Sequence, residues 1–167
     1  NRLSAEKFDP FIAEWVSFSK NPKYNLVEKC LKMAQILEYP ELNISKYIGK
    51  INEMGNSLKI KIGQVKNSTY HISMLNEYLF DELGFDGAEE DYYDPGNSFL
   101  NVVLDKKTGI PITLSIIYAE IAKSVGLDLQ IIGFPGHVIV KYKEEIILDP
   151  FYSGRLLTIE DLEEILT

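Results

Sequence analysis

The chain has 167 residues, a length suited to one domain, and a formal charge of −8 that disfavours nucleic-acid or anionic-membrane surfaces. No apolar run approaches the ~18 residues of a membrane-spanning helix. One cysteine, Cys30, leaves no intrachain disulfide or multi-cysteine metal site and suits a reducing cytoplasm.

Hydrophobic residues make up 46% of the chain, enough for a sizeable core. Asn1 is not a methionine, and the last residues still follow a helical pattern. A piece of a longer protein is therefore expected.

Residues 4–19 read as a helix capped by Ser4, with Phe8, Ile12, Trp15, Val16 and Phe18 on one stripe and Pro10 interrupting it. Residues 24–38 carry Leu26, Cys30, Met33, Ala34 and Leu37 at helical steps, and Pro40 ends that run. A third helix is expected over 41–63, from Leu42 to Ile62, with Gly55 and Gly63 weakening its end. A fourth is expected over about 68–82, carrying Tyr70, Ile72, Leu75, Leu79 and Phe80.

The stretch 84–99 is rich in turn formers and longer than most connections, which suggests function. Its acids and Tyr92 and Tyr93 mark a partner-facing surface or a solvated loop. Asn97 or Ser98 is expected to cap a short helix through Leu104.

The run from Pro111 to Leu127 is the centre of the chain. It is apolar on nearly every face, as a buried helix must be. Pro111 suits the first helical position and Gly126 a C′ residue. After Gly126 the period changes. Leu129–Phe134 reads as a buried strand, Pro135-Gly136 as a turn, Val138–Tyr142 as a second strand and Glu145–Asp149 as a third. Thr158 and Asp161 form a capping box for a last helix. Helices first and a small sheet last define an α+β fold, in which the central helix packs on an antiparallel sheet.

Two histidines are available for chemistry. His71 sits in a helical pattern and reads as structural. His137 opens one strand and Asp149 closes the next, an arrangement that fixes an imidazole tautomer for base work; a strand-edge histidine and a turn-forming Asp-Pro remain the alternative. The two share a face only if the intervening loop has an odd number of residues. Lys143-Glu144 suits a tight two-residue turn poorly, so a three-residue connection around 142–145 is predicted. His137 and Asp149 are too few for a zinc site, and no cofactor is expected.

A helix reached through a Gly-x-x turn and closed by Gly-Leu, then strand, His, strand and Asp-Pro, resembles the core of the transglutaminase-like (papain-like) superfamily. The strings DYYDPGNSFLNVVLDKKTGIPITLSIIYAEIAKSVGL, GFPGHVIVKY and ILDPFYSGRLLT resemble its SirB-one branch, a module also found beside an F-box in some eukaryotic proteins. The resemblance is strong over about 80–160. It divides the chain into a helical lead-in, 1–83, and a transglutaminase-like core, 84–167, within one compact unit.

The resemblance implies a Cys–His–Asp triad, with His137 and Asp149 in the second and third places. The cysteine slot falls at or near Pro111, where the superfamily reads Gly-x-Cys and this chain reads Gly109-Ile110-Pro111. Cys30 reads as a small buried hydrophobe on a distant helix. Thr113 and Ser115 are the candidate substitute nucleophiles; hydroxyls bonded back to helix carbonyls are the alternative. Asn101 belongs to the family pattern and is a candidate to orient the His137 region, with Pro111 and Gly136 beside it in the pocket.

Two functions follow. One is a non-catalytic transglutaminase-like domain that binds a protein or peptide or serves regulation. The other is a hydrolase or acyltransferase using a hydroxyl or a water activated by His137.

Overall fold

The computed structural model describes residues 5–167, with side chains from Ala13 onward. Helix α1, Ala5–Lys20, runs on past Pro10, which therefore does not interrupt it. The expected cap at Ser4 lies outside the described residues. Helix α2, Leu26–Leu37, starts at a capping box: Glu28 N donates to Asn25 Oδ1 at 2.9 Å, and Asn25 N donates to Glu28 Oε1. Helix α3, Ile44–Ile62, begins later than the hydrophobic pattern suggests because Asn43 caps it. Gly63, at φ 62°, ends it.

Helix α4, Ser68–Asn76, is capped by Asn67 and then widens into a π-helical turn, Glu77–Glu82, where a single regular helix was expected. The widening lets consecutive Tyr78 and Leu79 both reach the core.

The stretch after it is not wholly loop. Strand β1, Asp86–Gly87, pairs in parallel with β2, Thr108–Gly109. This ties the acidic segment to the chain immediately before the central helix. Helix α5, Leu100–Lys106, follows Phe99 and has no side-chain cap. The cap expected from Asn97 or Ser98 is absent: the Asn97 amide donates to the Asp91 and Tyr92 carbonyls instead, folding the acidic loop upon itself.

Helix α6, Pro111–Lys123, buries Leu114, Ile116, Ile117, Tyr118, Ile121 and Ala122. It packs against α2, α3, α4 and α5 on one side and the sheet on the other. It ends four residues before Leu127; tight turns lead to Gly126, at φ 81°. One hydrophobic cluster runs from Val27 to Phe151 and joins both sides of residue 83. Tyr118 OH donates to Asn76 Oδ1 at 2.7 Å, and Asn76 donates to the Gly154 carbonyl. That chain links α6, α4 and the end of the sheet.

The sheet is antiparallel, in the order β3, Leu129–Phe134; β4, His137–Tyr142; β5, Ile146–Asp149; β6, Arg155–Leu156. The last strand has two residues, too few to show a period. Helix α7, Ile159–Leu166, starts at the Thr158–Asp161 capping box. Among the described residues no helix is long and apolar enough to cross a membrane. The architecture is α+β, with helices covering α6 and a four-stranded sheet beneath it.

Tyr47 fastens α3 to α5: its OH donates to Asp105 Oδ2 at 2.7 Å, while Lys50 holds Oδ1 at 2.8 Å. Burial, the hydrogen bond to Asp105 and that carboxylate's charge push the phenol up to about 12. The fold thus favours the protonated phenol. Its contribution is complete below the ordinary tyrosine value of 10.0 and is lost as pH rises through about 12. Urea unfolding should find wild type more stable than Tyr47→Phe at pH 8, with the gap shrinking between pH ~10 and ~12.

Candidate functional site

The Pro135-Gly136 turn, with Gly136 at φ 78°, places His137 at the first position of β4. Tyr142 pairs with Ile146, so the connection to β5 is the three residues 143–145, with Lys143 at φ 51°. Continuing that register sets Asp149 opposite Ile139, on the face that carries His137. The imidazole Nε2 lies 2.7 Å from Asp149 Oδ2.

Asp149 is only 1% exposed, and its other oxygen accepts Phe151 N at 3.2 Å. A buried carboxylate is tolerable only when its oxygens are bonded, and both are. With Nε2 donating to Asp149, the neutral ring carries its lone pair on Nδ1. Asp149 is the only hydrogen-bond partner of the His137 ring among the described residues.

His137 borders a cleft of about 740 Å³, with Asp149 buried behind it. Four aromatic side chains line it: Tyr92, Tyr93, Phe151 and Tyr152. Glu89, Pro111, Gly136 and His137 complete the lining. The rings meet edge to face: Tyr92 lies 6.0 Å from Phe151 at 77°, and Phe151 lies 5.0 Å from Tyr152 at 88°. His137 is 6.2 Å from both Phe151 and Tyr152. The acidic loop thus supplies one side of the cleft and the turn after Asp149 supplies another.

Pro111 and Gly136 line the cleft, and the other candidates do not. Thr113 is 3% exposed. Its hydroxyl donates to the Asn97 carbonyl at 2.9 Å and accepts from Ile110 N at 3.2 Å, so it is spent on the start of its own helix. Ser115 is fully buried and its Oγ has no partner among the described residues. Neither hydroxyl bonds His137. Asn101 is also buried, with Oδ1 unpaired; it neither lines the cleft nor bonds His137. It is one of four buried residues of α5, with Leu100, Val103 and Leu104.

Cys30 is half-buried on α2, and burial pushes its thiol up. His71 Nε2 lies 2.6 Å from the Val65 carbonyl, a structural contact. Among the described residues no group of three or more His, Cys, Asp or Glu side chains is arranged to hold a metal ion.

Phe151, Tyr152 and Glu89 are the cleft residues that sequence reasoning missed. The signal was present in the DPFY string but belongs to a turn, where no periodicity marks an inward side chain. Gly87 lies outside the lining but is needed behind it: a Cβ there would stand 2.6 Å from the Phe151 carbonyl. Gly109 is equally constrained, since a Cβ would stand 2.8 Å from Thr113 Oγ1 and 2.9 Å from Val103.

A buried helix, a sheet beneath it and a His–Asp pair at the ends of the two central strands make an α+β fold of the kind the resemblance to the transglutaminase-like superfamily implies. The superfamily described as transglutaminase-like matches residues 45–167, and the chain belongs to it. It is 35% identical over 130 residues to a UPF0162 protein of Xylella fastidiosa, covering 76% of this chain and 46% of that protein. It is 31% identical over 147 residues to the human F-box only protein 21, covering 78% of this chain and 23% of that one. A UPF0162 protein of Vibrio cholerae is 30% identical over 89 residues, or 51% of this chain and 33% of its own length. The chain thus spans about half the length of the Xylella relative and about a quarter of the F-box protein. No solved structure matches it significantly.

Asp149→Ala should leave Phe151 N and the imidazole without their acceptor and cost about 2–4 kcal/mol in urea unfolding. The imidazole N–H of wild type should exchange slowly enough to be seen by NMR, and that signal should vanish in the variant.

Proposed function

We propose that the chain is a non-catalytic transglutaminase-like domain, of the SirB-one branch, that binds a protein or peptide in the cleft beside His137. The observation that carries this reading is Pro111. It occupies the start of the central helix, where the superfamily's nucleophile would stand, and it lines the same cleft as His137. A proline offers neither a thiol nor an N–H there. The two nearby hydroxyls are committed or buried, so covalent acyl transfer has no starting atom.

What remains is a cleft in which one side is fixed by the His–Asp pair and four of the lining side chains are aromatic. Such concave, mostly apolar sites suit recognition. The F-box only protein 21 is by name an F-box protein, and a shared module between it and bacterial proteins fits a part reused for binding. The single cysteine and the negative charge fit a cytoplasmic protein with no nucleic-acid partner.

A second reading, hydrolysis by a water held at His137, draws on the bare Nδ1 that faces no protein partner. The two readings separate by activity. Wild type should show no ester hydrolysis or amine incorporation above the level of His137→Ala; turnover lost in His137→Ala would overturn the binding reading.

The vacant nucleophile place can also be refilled. In a Cys30→Ser background, Pro111→Cys should be alkylated by iodoacetamide faster than Cys30 is in wild type, because burial holds the Cys30 thiol up. Removing His137 from that variant should slow alkylation about tenfold or more, as expected if the imidazole assists the thiol.

A further inference from the structure

We propose that the cleft beside His137 receives a tertiary or quaternary ammonium group, the methylated end of a lysine side chain presented by a peptide. The inference rests on the binding reading above and adds the chemistry of what is bound.

Three observations carry it. The first is the aromatic lining. Phe151, itself 6% exposed, meets both Tyr92 and Tyr152 at close to right angles, with centroids 6.0 and 5.0 Å away, and holds the two tyrosine rings at the cleft. Near-perpendicular rings enclose a corner, and an alkylammonium in that corner meets the negative faces of more than one ring. Tyr93 extends this surface, 5.2 Å from Tyr92 at 72°, and is 93% exposed. A large ring held in water, against another ring and beside a cleft, gains its contact area only when a ligand arrives.

The second observation is charge. No lysine or arginine lines the cleft, and Glu89 does. Glu90, Asp91 and Asp94 follow on the same segment, and the whole chain carries −8. The field at the cleft therefore attracts cations and repels a carboxylate or phosphate ligand. Asp149 offers the ligand no free acceptor, since both its oxygens are already bonded.

The third is the balance between the two. The lining has one carboxylate and four aromatic side chains. A primary ammonium brings three N–H donors and a tightly held hydration shell, which a mostly aromatic lining does not replace. Methylation removes donors, weakens hydration and adds surface for the rings. The volume, about 740 Å³, lies within the usual range for ligand sites and leaves room for the peptide beside the methylated tip.

The test uses three short Gly/Ala-flanked peptides, identical except for the central residue: Nε-trimethyllysine, lysine, or the neutral tert-butyl isostere of trimethyllysine. Each is titrated into the chain and followed by amide NMR shifts. The trimethyllysine peptide should shift Glu89, His137 and Tyr152 and bind about tenfold or more tighter than the isostere, as a shielded cation–ring contact predicts. Tyr152→Leu and Tyr93→Leu keep apolar area but remove a ring face, and each should weaken it about threefold to tenfold; Tyr152→Phe should not. Both sites are at least half exposed or nearly so, at 49% and 93%, so the variants should fold, as their amide spectra will report.

An isostere that binds as tightly as trimethyllysine, a preference for unmodified lysine, or no cleft shifts at millimolar peptide would overturn the ammonium. Cleft shifts that ignore charge would do so while sparing the binding reading. Turnover lost in His137→Ala would overturn the binding reading and spare the ammonium.

Discussion

Everything at the site depends on keeping one buried carboxylate satisfied. Asp149 sits at the end of β5 and is 1% exposed, so both of its oxygens require donors. Phe151 N supplies one by turning the chain tightly after Asp149, and His137 Nε2 supplies the other from the neighbouring strand. The first of these bonds aims Phe151 and Tyr152 at the cleft. The second fixes the plane and tautomer of the imidazole. A further bond, from Gly154 N to the Asp149 carbonyl, closes the same turn. One residue therefore sets the position of the histidine and of two aromatic walls together.

The opposite wall is fixed by backbone. Strands β1 and β2 have only two residues each, yet their pairing holds the acidic segment to the approach of α6. Gly87 and Gly109 sit opposite each other in that pair, and neither has room for a Cβ. Thr113 closes the arrangement by bonding both Ile110 N and the Asn97 carbonyl. Its hydroxyl is a fastener between the helix start and the loop, which explains why it is buried.

The larger elements were legible because their physics is local and repeated. The central helix announces itself through Pro111, Gly126 and an apolar surface between them. The odd-length connection between β4 and β5 followed from poor turn chemistry at Lys143-Glu144, and parity alone then put His137 and Asp149 on one face. The π-helical turn at Glu77–Glu82, the two-residue strands and the missing cap of α5 were not legible. Each is decided by contacts distant in sequence, such as Asn97 folding the acidic loop or Tyr78 and Leu79 both seeking the core. The burial of Thr113, Ser115 and Asn101 was hidden for a related reason. Sequence places a hydroxyl near a helix mouth, but only packing says whether it faces the cleft or the interior.

The His–Asp pair is commonly read as a trace of catalysis, but here it has a sufficient structural reason to persist. Breaking it exposes a buried charge to an apolar interior, and the cost falls on the fold whether or not any reaction occurs. A nucleophile carries no such obligation. The position of Pro111 needs only a residue that starts a helix well, and proline does that better than cysteine, since the helix loses no hydrogen bond at its first position. On the non-catalytic reading proposed above, a His–Asp pair beside a proline is the asymmetry that selection for the cleft alone would leave. On the binding reading proposed above, the aromatic rings and the Glu89 carboxylate are the parts that would meet a ligand, and the imidazole, bonded to Asp149, is the strut beside them.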